Sequence, residues 1–379
     1  MHYVLSNRNT PTRVAGTDEG DSLSELQAPT GADDVDAAWL TAAMAPFADG
    51  AQVTDVQRRP IGNGMVADSV RLSIAWDRPT PAPSSLVAKV PSTSETSRLG
   101  AAATRTYLLE AAFYNELADS LTVHRPRCYL SLYNEQTNDY VVLLEDLAPA
   151  QAGDQIAGCS VDEAASVIPE LASLHGPRWN DPTLHDLSWL DRPNQQSATG
   201  VAQLMAMFFP GFVDRYGDRV DPEVMGLIER FIPSIEFYLL DRPEPWTVAH
   251  GDFRLDNLLF GGPRVAVLDW QTVKLGPGLS DVAYFIGSAL QPEQRRSAEN
   301  DLVRQYHQAL TATGVSISWD DCWLGYRRFG FDGLLMGILA SMFVGQTDRG
   351  DEMFMAMVNR HGRQLLDLES DTLIGCPKG

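Results

Sequence analysis

The sequence predicts an α+β fold in two parts, a small antiparallel sheet followed by a larger, mostly helical region. Short runs of alternating apolar and polar residues recur between positions 51 and 147, broken by one amphipathic helical pattern. Beyond Ser160 the period is helical, apart from a single hairpin pattern near position 260. The length of 379 residues exceeds one small domain and suits two.

The elements follow in order. Residues 1–33 are polar and partly acidic, without periodicity, and read as a flexible N-terminal tail. A helix starts at Asp34 or Asp36, either of which can cap "AAWLTAAMAPF". Three strands come next, "AQVTDVQRRPI", "ADSVRLSIAW" and "SSLVAKV", the first two flanking "GNGM". One main helix, "TRTYLLEAAFYNELADSL", precedes two further strands, "RCYLSLYNE" and "YVVLLEDL". The smaller lobe is thus expected over 34–148. "APAQAGDQIAG" connects it to a larger lobe over 149–379. That lobe opens on the helix "VDEAASVIPELASLHG" and holds a Met- and Phe-rich region between Pro177 and Pro245. Its most apolar stretch, "FGFDGLLMGILASMFVG", contains Asp332 and several glycines, and reads as a buried helix instead of a membrane span.

Composition narrows the function. A formal net charge of -21 repels phosphate backbones and argues against nucleic acid as a partner. Cys128, Cys159, Cys322 and Cys376 lie far apart, with no CxxC pair. That spacing speaks against a zinc ribbon or a disulfide framework and for a reducing compartment. The chain has no basic start followed by an apolar core, so a cytoplasmic protein without membrane attachment is expected. Nothing in the sequence sets an oligomeric state.

The chemistry gathers in "VAHGDFRLDNLLFGGPRVAVLDW", from Val248 to Trp270. "NLLF" and "VAVLD" are apolar and "GGPR" is a turn, which makes a hairpin. Its centre falls near Gly262 or Pro263, so Asn257 and Asp269 are nearly equidistant from it. Folding the hairpin is expected to bring them to its open end, with a cross-strand spacing of about 5 Å. One amide oxygen and one carboxylate, with room for water and phosphate, suit Mg²⁺. Asp252 enters on the preceding loop, where a carboxylate can take a proton from an attacking hydroxyl. Turn chemistry accounts for any one of these residues but not for the set.

"HGDFRLDN" fits H-x-D-x-x-x-x-N, the catalytic-loop pattern of protein-kinase-like enzymes. The Gly after the His, and "LDW" in place of D-F-G, resemble the aminoglycoside and choline phosphotransferase family. With "ELASLHG" upstream, the wording is similar to its ecdysteroid-kinase-like (CHK kinase-like) group. The resemblance covers the chain from about residue 35 onward. It implies a protein-kinase-like bilobal fold that uses ATP and Mg²⁺. It casts Asp252 as the base that orients the substrate hydroxyl, and Asn257 and Asp269 as the metal ligands. Arg254, two residues after the base, is expected on the γ-phosphate. His250 is expected to hold the loop, and Asp281 in "GLSDVAYFIG" to brace it.

At the nucleotide end, Lys89 in "SSLVAKV" resembles the V-A-I-K lysine. Its acidic partner is Glu110 or Glu116, and helical spacing decides between them. Glu110 shares a face with Phe113, Tyr114, Leu117 and Leu121. A carboxylate on an apolar face needs a cation. Gly62 and Gly64 in "GNGMVA" are placed to cover phosphate with backbone N–H groups. The resemblance also implies that the backbone of Glu145, Asp146 and Leu147 meets the adenine.

The function these residues imply is ATP-dependent transfer of a γ-phosphoryl group to the hydroxyl of a small molecule. They do not specify whose hydroxyl, nor ATP over GTP. Trp179, Met205, Phe212, Trp319, Trp323 and Phe343, with Asp320 and Asp321, point to a partly apolar or amine-bearing alcohol. The same apolar residues also serve as helix cores. The alternative is a catalytically inactive kinase-fold nucleotide-binding protein, against which stand the intact Lys89, Glu110, Asp252, Asn257 and Asp269. A two-metal phosphohydrolase wants more His and carboxylate ligands than this cluster holds. The short run after "LDW" has no A-P-E segment, which argues against a protein substrate.

Overall fold

The computed structural model describes residues 26–62 and 66–374. They fall into two compact units. The first holds the chain up to Asp119, Arg125–Ala148 and the returning segment Asp269–Thr272; the second holds Ser120–His124, Pro149–Leu268 and Val273 onward.

The first unit begins with α1 (Ala37–Met44). Its cap is Asp36, whose side chain accepts the Trp39 N–H at 2.8 Å. There follow β1 (Val53–Pro60), β2 (Ala67–Trp76), β3 (Ser85–Pro91), α2 (Glu95–Ala103), α3 (Thr106–Ala112), β4 (Cys128–Asn134) and β5 (Asp139–Glu145). The strands form an antiparallel sheet in the order β1-β2-β3-β5-β4. Lys89 lies on the central strand, opposite Ser69 of β2 and Val142 of β5. Leu40, Met44, Leu72, Leu86, Val90, Val141 and Leu143 build a core between α1 and the sheet.

The stretch expected as one helix from Thr104 is interrupted. Arg105 adopts a left-handed φ of 57°, α3 starts after it, and Phe113–Leu117 forms a π turn. α2 leaves no periodic signal because it buries so little: Ala101 is its one buried residue. Ser94 starts it by accepting the Ser97 N–H. Gly62 is exposed, with φ 72°, in the connection from β1 to β2. Gly64 and most of the expected tail lie outside the described residues.

The second unit contains β6 (Gln151–Ala152), α4 (Val161–His175), α5 (Gln195–Tyr216), α6 (Pro222–Phe231), α7 (Ile235–Leu240), β7 (Thr247–Ala249), β8 (Leu258–Phe260), β9 (Ala266–Val267), β10 (Lys274–Gly276), α8 (Leu279–Ala289), α9 (Pro292–Ala312), α10 (Trp319–Arg328), α11 (Phe331–Phe343) and α12 (Asp348–Asp367). The short strands make two small sheets, β6-β8-β9 and β10-β7. Every residue of α8 is buried, and α4, α10, α11 and α12 all touch it. The apolar glycine-containing stretch becomes α11. Its Gly333 lets the His361 ring approach so closely that an added Cβ would sit 2.2 Å from it. Asp332, on the same helix, is paired with Arg242 and accepts the Tyr238 hydroxyl at 2.8 Å. Among the described residues no helix is long and apolar enough to cross a membrane.

Candidate active site

In the second unit the site is built on the loop that leaves β7. The α8 residue Asp281 accepts the N–H groups of His250 at 2.6 Å and Gly251 at 2.9 Å. His175 Nε2 lies 3.2 Å from the same carboxylate. Burial alone would raise the Asp281 carboxyl, but His175, His250 and the Gly251 N–H outweigh it and hold it below its ordinary value. His250 ties the loop to the hairpin: its Nε2 meets the Leu268 carbonyl at 2.9 Å and its Nδ1 accepts the Asp252 N–H at 3.2 Å.

The hairpin register pairs Leu258 with Val267 and Leu259 with Ala266. The Leu268 N–H donates to the Asn257 carbonyl at 2.9 Å. Asn257 therefore faces Leu268, and Asp269 comes one residue later with a left-handed φ of 67°. For a residue other than glycine such a backbone is uncommon and points to a functional constraint.

Asp252 is surrounded by donors. Its Oδ2 accepts Arg254 Nε and Asn257 Nδ2, each at 3.0 Å. Its Oδ1 accepts the hydroxyl of Tyr284, from α8, at 2.7 Å. Burial pushes the Asp252 carboxyl up, but Arg254, Tyr284 and His250 prevail and keep it below the ordinary range. Arg254 also reaches Asp256 Oδ2 at 3.0 Å and Met353 Sδ at 2.8 Å. The guanidinium thus bridges two carboxylates, those of Asp252 and Asp256. Asn257 Nδ2 bonds the Asp252 carbonyl as well, at 2.9 Å, which leaves its amide oxygen for another partner.

Two supports were not legible in the sequence. Tyr284 is one, hidden in an apolar run. Gln155 is the other, in the connector: its Oε1 accepts the Leu255 N–H at 2.9 Å, its Nε2 donates to the Ser288 carbonyl at 3.0 Å, and its N–H donates to Asp256 at 3.0 Å. No periodic signal marks such a residue.

In the first unit, Lys89 Nζ contacts Glu110 Oε1 at 2.7 Å and Asp269 Oδ1 at 3.1 Å. Burial works to lower the lysine, yet the Asp269 and Glu110 carboxylates overcome it and hold the ammonium above its ordinary value. Burial raises the Glu110 carboxyl against the pull of Lys89. Glu116 is exposed. Trp270 stacks on Phe113 with ring centroids 3.9 Å apart, and Gln271 Nε2 reaches Glu110 at 3.3 Å. These contacts explain why Asp269–Thr272 clusters with the smaller unit. Glu145 stands opposite Leu86 of β3 and donates its N–H to the Arg127 carbonyl at 2.8 Å. Leu147 follows at the end of this unit, beside Asp146, which pairs with Arg71 at 2.9 Å.

The structure therefore groups Asp252, Arg254 and Asn257 in one unit, and Lys89, Glu110 and Asp269 in the other. Among the described residues no three His, Cys, Asp or Glu side chains converge as a metal cage. The Asn257 amide in the one unit and the partly exposed Asp269 carboxylate in the other each offer an oxygen of the hard type that Mg²⁺ takes.

A model of the phosphotransferase enzyme family (APH) matches residues 70–315. The chain belongs to this family. Two curated relatives match about a third of this chain. Acyl-CoA dehydrogenase family member 10 of Mus musculus is 31% identical over 138 residues, covering 32% of this chain and 13% of that protein. Acyl-CoA dehydrogenase family member 11 of Homo sapiens is 26% identical over 136 residues, covering 32% and 17%. The chain thus spans less than a fifth of those relatives' length. Among solved structures, a choline kinase from Cryptosporidium parvum Iowa II shares the fold, with a TM-score of 0.52, 11% identity, and coverage of 84% of this chain and 90% of that one.

Proposed function

We propose that this phosphotransferase moves the γ-phosphoryl group of ATP to the hydroxyl of a small, partly apolar or amine-bearing alcohol, in the cytoplasm. The observation that carries the reading is Asp252, a half-buried carboxylate kept ionised by Arg254 and Tyr284 at the head of the family's loop. Such a group can accept the proton of an attacking hydroxyl. Lys89, held by Glu110, is the cation for the phosphates, and Gly62, Gly64 and the backbone at Glu145 and Leu147 are the nucleotide contacts. Asn257 and Asp269 would hold Mg²⁺, which when bound neutralises phosphate charge.

The acceptor class is supported by side chains that did not enter the core. Met205, Phe212 and Phe331 are fully buried, whereas Met207 on α5 and Phe343 on α11 are 61% and 50% exposed. Exposed apolar groups of this size favour an apolar contact. The described cysteines Cys128, Cys159 and Cys322 are free thiols, in keeping with a reducing compartment.

The test is ADP release in Mg²⁺-ATP against a panel of sugars, amino-alcohols and aliphatic alcohols. At least one acceptor is expected to be turned over, and Asp252→Ala to lose about 10²–10⁴-fold in rate. A nucleotide-induced thermal shift without turnover would instead support the inactive nucleotide-binding protein. The absence of both turnover and a thermal shift would refute the proposal.

A further inference from the structure

A carboxylate oxygen offers two lone pairs. On Asp252, Oδ2 uses both, one for Arg254 Nε and one for Asn257 Nδ2, each at 3.0 Å. Oδ1 accepts the Tyr284 hydroxyl at 2.7 Å and, among the described residues, has no second donor. From this asymmetry we infer that Oδ1 is the oxygen that receives the acceptor's proton, and that Tyr284 is the positioning residue that presents it. The inference rests on the phosphoryl-transfer reading above and goes one step beyond it, to which oxygen reacts and what aims it.

The placement of Tyr284 fits the task. It stands three residues after Asp281 on α8, so one helical turn both anchors the loop through the His250 and Gly251 N–H groups and fixes the carboxylate that follows them. The ring is buried at 2% exposure, and the His361 ring packs against it at 5.3 Å and 68°. It has little freedom to swing. Burial pushes its hydroxyl well above the ordinary value, so it stays a donor. Two bonds on Oδ2 and one on Oδ1 fix the carboxylate plane, which would otherwise pivot about its Cβ–Cγ bond. In the reaction the acceptor oxygen bonds to the γ-phosphorus. The bond from that phosphorus to the β-phosphate oxygen breaks, and ADP leaves with its electron pair. The acceptor's proton passes to Asp252 Oδ1 and then to solvent. Nothing is oxidised or reduced.

The experiment compares the full chain with Tyr284→Phe and Asp252→Ala, using Mg²⁺-ATP with the alcohol panel and with water as acceptor. Tyr284→Phe keeps the buried ring. It should lower kcat about tenfold while KM for ATP and for the acceptor stay unchanged, the pattern of an interaction needed in the transition state. A urea cycle supplies a second reading: Tyr284→Phe should move the midpoint in the parent and leave it unmoved in the Asp252→Ala background. If the parent is active, Asp252→Ala is inactive and Tyr284→Phe keeps kcat within twofold, the inference is overturned and the phosphoryl-transfer reading stands. A lowered midpoint with unchanged kcat also overturns it, since Tyr284 would then be structural. A parent inactive toward every alcohol and toward water brings down both.

Discussion

Asp281 offers the most direct link between one side chain and the shape of the loop. It is buried, and it is the acceptor for two successive backbone N–H groups, those of His250 and Gly251. Gly251 has φ 83°, so this backbone cannot drop into a helical or extended form that pairs its N–H elsewhere without moving Asp252. In Asp281→Ala both donors are left in a dry interior. Each such orphan costs about 1–3 kcal/mol, so the pair costs about 2–6 kcal/mol. Against a typical domain stability of about 5–15 kcal/mol that is a large fraction. Asp281→Asn keeps one acceptor oxygen and turns an N–H₂ group toward the other donor, so its loss should fall in between. The assay is urea unfolding followed by tryptophan fluorescence, with ADP release measured on the same samples below the transition. The expected result is a lower midpoint in the order parent, Asn, Ala, with activity falling in the same order. A loss under about 1 kcal/mol for Asp281→Ala would show that water or a moved backbone replaces the carboxylate, and the bracing argument would fail.

Two further outcomes follow from buried charge. Lys89→Met strands Glu110 without its cation and should cost about 3–5 kcal/mol, whereas Lys89→Met with Glu110→Leu should recover most of that stability and none of the activity; thermal melts beside ADP release check both. His361 is held down to about 4 from an ordinary 6.5, first by burial, which disfavours the charged ring. The unfolded chain therefore takes up this proton before the folded one does. The contribution is intact above pH 6.5 and is lost as pH falls from 6.5 toward 4, about 3 kcal/mol in all. Urea midpoints at pH 7 and pH 4.5 should differ less for His361→Leu than for the parent.

Much of this arrangement could be read from residue spacing because burial writes a period into the chain. The sheet strands alternate, and Glu110 stands on a stripe of Phe113, Tyr114 and Leu117, so its contact with Lys89 could be anticipated. What could not be read has equally physical causes. The α2 helix buries a single alanine and leaves no stripe. Tyr284 sits in α8, which is buried on all sides, so no face singles it out and its hydroxyl is lost among apolar neighbours. Sequence order also cannot show that Asp252 and Asp256 close on Arg254 from either side. The hairpin partner of Asn257 was off by one because a Gly-rich turn does not fix its own centre.

The π turn at Phe113–Leu117 has a consequence for how this chain can change in length. Such a turn carries one residue more than an α turn. Loss of one position there, for instance the exposed Glu116, can be absorbed by relaxation to regular helix, with the flanking segments left in place. The same loss inside Thr106–Ala112 has no slack to draw on. It would rotate the side chains on one side of it by about 100° and carry Glu110 off Lys89. Natural variation in length should therefore collect at the former place and spare the latter.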